Sequence, residues 1–216
     1  MRFTDRRDAG RKLAERLGDL DLSDPVVLAL PRGGVPVAYE VARAFNVPLE
    51  VFVARKIGLP GHEELGIAAI AEGLDEPVKT DLVTQLDIGP DDLARLAARE
   101  HETLNRRVAR YREGRAAPDV GGRDVVLVDD GLATGVTAEA GLRALRAREP
   151  RRLVLAEPVC ASDTADRLRR IADDVVCVFA PDALFAVGMW YVDFTQTTDR
   201  EVLDLLERSR TAPVRN

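Results

Sequence analysis

The sequence predicts an α/β domain of three layers, with helices on both faces of a mostly parallel β-sheet. Two observations carry this. Short runs rich in Val, Leu and Ala alternate with segments of helical apolar spacing, the pattern of repeated βαβ units. Those runs show no in–out alternation, as expected of strands covered on both sides. A chain of 216 residues can build one large core. Its 46% hydrophobic and 31% charged residues argue for a packed globule and against disorder. No apolar run approaches the ~20 residues of a membrane span, and no signal-peptide core follows Met-Arg-Phe-Thr-Asp-Arg-Arg, so a cytoplasmic location is expected. Cys160 and Cys177 are too few for a disulfide framework and are expected as reduced thiols. The net charge of -6 argues against an extended nucleic-acid surface.

The elements follow in order. Ala9, Leu13 and Leu17 define an amphipathic helix over Asp5–Leu17. A strand at Val26–Leu30 leads to a helix at Val35–Phe45, then to strands at Leu49–Val53 and Ile67–Ala71. Pro90–Glu113 breaks the alternation. Leu93, Ala97, Leu104, Val108 and Tyr111 mark one face of a long inserted helix, which Pro90 suits at its start and Gly114 at its end. Its Arg106, Arg107, Arg110 and Arg112, with Arg115 beyond them, lie among Glu100, Glu102 and Glu113 and read as a solvated face. Strands at Asp124–Val128, Leu153–Glu157 and Val175–Phe179 then alternate with helices at Val136–Ala147, Asp163–Ile171 and Asp199–Ser209. Residues 1–216 thus read as one domain, with an insertion at about 88–115 and a separate C-terminal segment at about 181–197.

The strongest chemical signal is VVLVDDGLATGVT at Val125–Thr137. Four apolar residues form a buried strand, two carboxylates stand at its C-terminal end, and a Gly/Thr-rich turn enters a helix. Open α/β sheets bind ligands at such strand ends. Gly131 and Gly135 permit a tight backbone, and the N–H groups of a helix start make an anion cradle with the hydroxyls of Thr134 and Thr137. No Gly-Lys-Ser/Thr ends the loop, which excludes a Walker motif. Asp129 and Asp130 suit a diol or a hydrated Mg²⁺, so the whole describes a ribose 5-phosphate site. No Cys/His/Asp cluster has zinc-site spacing, His62 reads as a solvated loop residue, and His101 lies on the inserted helix.

This segment resembles the phosphoribosyl-diphosphate signature of type I phosphoribosyltransferases, and the chain as a whole is similar to uncharacterised bacterial members of that family. The resemblance implies that Asp129 and Asp130 serve the ribose and the metal, while Ala133, Thr134, Gly135, Val136 and Thr137 wrap the 5-phosphate. Leu30–Val35, LPRGGV, matches the pyrophosphate loop and assigns Arg32, Gly33 and Gly34 to the diphosphate. Arg55–Gly73 is similar to the flexible catalytic loop of adenine phosphoribosyltransferases, so Arg55 and Lys56 would act on the leaving group and Glu72 would be the general base, with Glu63 and Glu64 nearer the loop tip. Phe185–Phe194, FAVGMWYVDF, resembles the hood of hypoxanthine-guanine phosphoribosyltransferases, with one extra residue before the acid. Phe185, Val187 and Asp193 would then contact the base, while Trp190 and Tyr191 read equally well as core packing.

The implied activity is Mg²⁺-dependent transfer of ribose 5-phosphate from phosphoribosyl diphosphate to a nitrogen nucleophile, as in purine salvage, by a chain able to form a homodimer. A non-catalytic regulator binding phosphoribosyl diphosphate or a nucleotide is the alternative. A doubly wound domain for another phosphorylated ligand, its acidic pair holding a metal, is a third reading.

Overall fold

A computed structural model of the chain describes residues 2–211, apart from the side chain of Glu64. Five parallel strands form the central sheet: β1 (Pro25–Ala29), β2 (Leu49–Val51), β6 (Asp124–Val128), β7 (Arg152–Val159) and β8 (Asp174–Phe179), in the order β2-β1-β6-β7-β8. Alternate residues of these buried strands separate into two cores. Val27, Ala29, Val126, Val128, Val154 and Ala156 face α1 (Arg6–Leu17), α2 (Gly34–Phe45) and α7 (Asp199–Thr211). Val26, Leu28, Val125, Leu127, Leu153 and Leu155 face α5 (Val136–Arg146) and α6 (Ser162–Leu168). Continuous apolar runs therefore supply both faces, and the three-layer α/β/α expectation holds. Gly10 lets α1 close on α2, because a Cβ there would meet the Val37 carbonyl oxygen at 2.5 Å.

The segment expected as a flexible lid forms a β-hairpin. β3 (Ala54–Leu59) and β4 (His62–Ala71) pair antiparallel, and β5 (Val78–Lys79) completes a second sheet of three strands. Ile67–Ala71 thus belongs to this sheet rather than to the parallel one. A short helix α3 (Leu82–Gln85) precedes α4 (Pro90–Arg112), whose Leu93, Ala97, Leu104 and Tyr111 are buried as their spacing predicted. The hairpin lies between α4 and α5, so the insertion covers it rather than standing in solvent.

The cysteine expectation is corrected. Cys160 and Cys177 form a disulfide, with their Cα atoms 6.1 Å apart. The parallel register of β7 and β8 pairs Glu157 with Cys177 and Val159 with Phe179, which brings the two thiols together from 17 residues apart. A cysteine count has no access to that register. No helix among the described residues is long and apolar enough to cross a membrane.

Candidate active site

Asp129 and Asp130 leave the C-terminal end of β6 as partly buried acids. Burial pushes the Asp129 carboxyl well above the ordinary range, and the neighbouring Asp130 charge adds to it. Burial raises Asp130 too, against the pull of Arg6. Arg6, at the start of α1, directs Nε and Nη2 at Asp130 Oδ2, both at 2.8 Å, and donates from Nη1 to the Thr195 carbonyl at 2.8 Å. Its guanidinium lies over the Phe194 ring, 4.0 Å from the centroid. A third acid, Glu157, points into the same region from β7. It is fully buried, and neither of its oxygens makes a well-directed hydrogen bond. Burial first, then the charges of Asp129 and Asp130, hold its carboxyl well above the usual range. Three carboxylates thus lie close together, and Arg6 is bonded to Asp130.

The turn after them is built as a cradle. Gly135 caps α5 at φ +73° with no side-chain cap, so the first N–H groups of the helix have no capping acceptor. A side chain at Gly135 would also strike Thr164 Cγ2 at 2.5 Å. The loop carbonyls are held from the α6 side: Thr164 donates its hydroxyl to Ala133 O at 2.8 Å, and Arg167 donates to Thr134 O at 2.7 Å. Fixing the carbonyls on that side leaves the N–H edge of the loop for an anion.

The turn after β1 closes against the acidic pair. Its Pro31–Arg32 peptide is cis. A Cβ on Gly33 would lie 2.1 Å from Asp130 Oδ2, and one on Gly34 would lie 2.8 Å from Asp129 Cα. Only glycine permits this approach. Arg32 stands 3.9 Å from Asp199 at the start of α7.

A family model described as phosphoribosyl transferase domain matches residues 5–192. The chain belongs to this family. Two proteins named "Putative phosphoribosyl transferase", from Mycobacterium tuberculosis strains CDC 1551 and H37Rv, are 45% identical over 209 residues, which is 96% of this chain. The chain spans about half (47%) of the length of these curated relatives. The crystal structure of TT1426 from Thermus thermophilus is similar at TM-score 0.79 and 45% identity, over 95% of this chain and 98% of that one. The AQ2163 protein of Aquifex aeolicus shares the fold at TM-score 0.52 and 14% identity, over 93% of this chain and 84% of that one.

Within this phosphoribosyl transferase domain, the acidic pair, the cradle and Gly33–Gly34 converge. The adjacent cations diverge. Arg55 Nε bonds Glu100 of α4 at 2.5 Å, whereas the Lys56 stem crosses Gly66 beside Val136 at the start of α5. Successive residues of a strand face opposite ways, so one cation reaches the α4 side and the other the cradle side.

Glu72 requires a correction. It is only 7% exposed, Oε1 accepts from Val53 N–H at 2.7 Å, and Oε2 lies 2.5 Å from Arg112 of α4. Both oxygens are committed, so Glu72 anchors the insertion and leaves the candidates for a general base. Arg112 correspondingly leaves the solvated face expected for it.

The hood rests on the N-terminal segment. Phe3 exchanges backbone hydrogen bonds with Trp190 and Val192, and its ring packs on Phe179 and Tyr191. Tyr191 donates its hydroxyl to the Asp130 carbonyl at 2.6 Å, so Trp190 and Tyr191 are packing residues that also support the acidic turn. Val187 covers Gly131, where a Cβ would meet Val187 Cγ1 at 2.5 Å. Phe185 is 89% exposed, and Asp193 accepts from the Thr195 N–H and hydroxyl, which holds its carboxyl below the usual range. Arg6, Glu157 and Tyr191 are the contributors that motif reading did not assign.

The donor set suits a hard cation, because the carboxylate oxygens of Asp129 and Asp130 are only partly balanced by Arg6. Among the described residues no group of three or more His, Cys, Asp or Glu side chains forms a complete metal site.

Proposed function

We propose that this domain is a Mg²⁺-dependent phosphoribosyltransferase that moves the ribose 5-phosphate unit of phosphoribosyl diphosphate to a nitrogen of a nucleobase. One observation carries the reading. Two partly buried carboxylates stand just before a helix start with uncapped N–H groups, and the glycine pair of the turn after β1 packs on them. A ribose diol, a 5-phosphate and a diphosphate each find matching chemistry within that arrangement.

In the reaction the acceptor nitrogen bonds to the anomeric carbon as the C–O bond to diphosphate breaks. The transition state has oxocarbenium character, and negative charge gathers on the departing pyrophosphate. Bound Mg²⁺ would neutralise part of that charge. Asp129 and Asp130 would hold the ribose hydroxyls, with Arg6 offsetting the cost of keeping Asp130 ionised. The N–H groups from Ala133 to Thr137 would hold the 5-phosphate, with Lys56 nearby. Arg32, Arg55 and the Gly33–Gly34 backbone would stabilise the diphosphate, because preorganised donors act most strongly where charge develops. Phe185 would stack on the base, Val187 would wall the pocket, and Asp193 would read the base edge.

The test is pyrophosphate release from phosphoribosyl diphosphate with Mg²⁺ across a panel of purines, pyrimidines and small amines. Base-dependent release is expected, and Asp130→Asn should weaken phosphoribosyl diphosphate binding. Binding without release across the panel would instead make the domain a regulator.

A further inference from the structure

We propose that the inserted helix α4 supplies a polyanion subsite, in which Arg107 and Arg110 join Arg32 of the β1 turn to bind the diphosphate group. This deepens the transferase reading and rests on it.

Helical spacing places Arg107 beside the buried stripe of α4, three residues after Leu104 and four before Tyr111. The side chain is half-buried and makes no hydrogen bond or ion pair with another described residue. Its charged neighbours are mainly cationic, with Asp199 opposing them. Burial, then the nearby charge of Arg55, with a smaller part from Arg32, push the Arg107 guanidinium below its ordinary pKa. Asp199 is the one carboxylate these arginines share. It accepts from the Tyr111 hydroxyl at 2.5 Å, pairs with Arg110 at 2.5 Å, and stands 3.9 Å from Arg32. Glu100 is taken by Arg55. Four guanidinium groups therefore meet two carboxylates, so two positive charges have no anionic partner.

An open cavity of about 670 Å³ lies here, lined by Thr103, Arg106, Arg107, Ala109, Arg110 and Asp199. A half-buried, unpaired guanidinium is costly, and its natural partner is a doubly charged, fork-accepting anion. The Tyr111 hydroxyl holds Asp199 from the helix side, and burial with that hydrogen bond pushes its pKa up to about 12. Asp199 then positions Arg32 and Arg110 without filling the site. A diphosphate held at the β1 turn would meet all three arginines. An extended nucleic acid or acidic protein would not need the buried one.

The experiment is calorimetric titration of inorganic pyrophosphate and, separately, ribose 5-phosphate into wild type, Arg107→Met and Arg95→Gln. Methionine keeps the apolar stem of Arg107, and Arg95 is an exposed residue of the same helix paired with Asp92. Arg107→Met should weaken pyrophosphate about tenfold or more, the loss of one charge-assisted hydrogen bond, and leave ribose 5-phosphate unchanged. Arg95→Gln should change neither. Unchanged pyrophosphate affinity in Arg107→Met, or an equal loss in Arg95→Gln, would overturn the subsite. Absence of ribose 5-phosphate binding in wild type would instead count against the transferase reading.

Discussion

Glu72→Gln separates an anchoring role from a catalytic one. Glutamine keeps an oxygen for the Val53 N–H and removes only the charge facing Arg112. Each side chain of the pair is 8% exposed, so solvent cannot replace the lost partner. Arg112 Nε and Nη2 have no well-directed hydrogen-bond acceptor despite the short N···O distance, which makes the attraction mainly coulombic. Removing one member of a buried pair costs about 3–5 kcal/mol, and the imperfect alignment places this one near the lower end, ~3 kcal/mol. For a domain of this size that loss lowers Tm by about 6–12 °C. Thermal unfolding of wild type, Glu72→Gln and Glu72→Gln/Arg112→Met reads it directly. The double variant should recover most of the loss, because no charge stays buried alone. An unchanged Tm in Glu72→Gln together with a collapse of turnover would refute the reasoning and restore Glu72 as a base.

Three further outcomes follow from the same geometry. Glu157 has a folded-state pKa raised above its unfolded value of 4.5, so its contribution to stability falls as pH rises from that value to the raised one. Glu157→Gln should flatten this decline and gain about 1–3 kcal/mol near pH 8, seen as a Tm advantage that disappears at pH 4. Gly33→Ala must push the β1 turn off Asp130, since the new Cβ would sit 2.1 Å from Oδ2; phosphoribosyl diphosphate affinity should fall while Asp130→Asn no longer adds its full effect. Reducing the Cys160–Cys177 bond, which closes a short loop between neighbouring strands, should cost about 3 kcal/mol, and Cys160→Ser should show the same Tm fall without reductant.

The sequence was most legible where a residue's local neighbours also determine its structure. Asp124–Val128 is a strand with both predicted ends, because five apolar or turn-flanked residues buried on both faces permit little else. The acid pair and the Gly135 helix start are equally local. Ala54–Leu59 was not legible as a strand, since two cations and a glycine carry no strand period and pairing with β4 supplies the order. Glu157 was hidden within an apolar run; an acid inside a fully buried strand was its one signal. Arg6 lies 124 residues from Asp130, and only the packing of α1 joins them. Arg107 was readable in principle from its place beside Leu104 and Tyr111. The cluster of glutamates around it pointed to solvent instead.

The central claim is that the β6 acids, the α5 cradle and the β1 glycines form one phosphoribosyl diphosphate site. Calorimetric titration of phosphoribosyl diphosphate, with and without Mg²⁺, tests it most directly. The account predicts saturable binding that strengthens with Mg²⁺ and weakens in Asp130→Asn. No binding under either condition, or full affinity retained in Asp130→Asn, would contradict it.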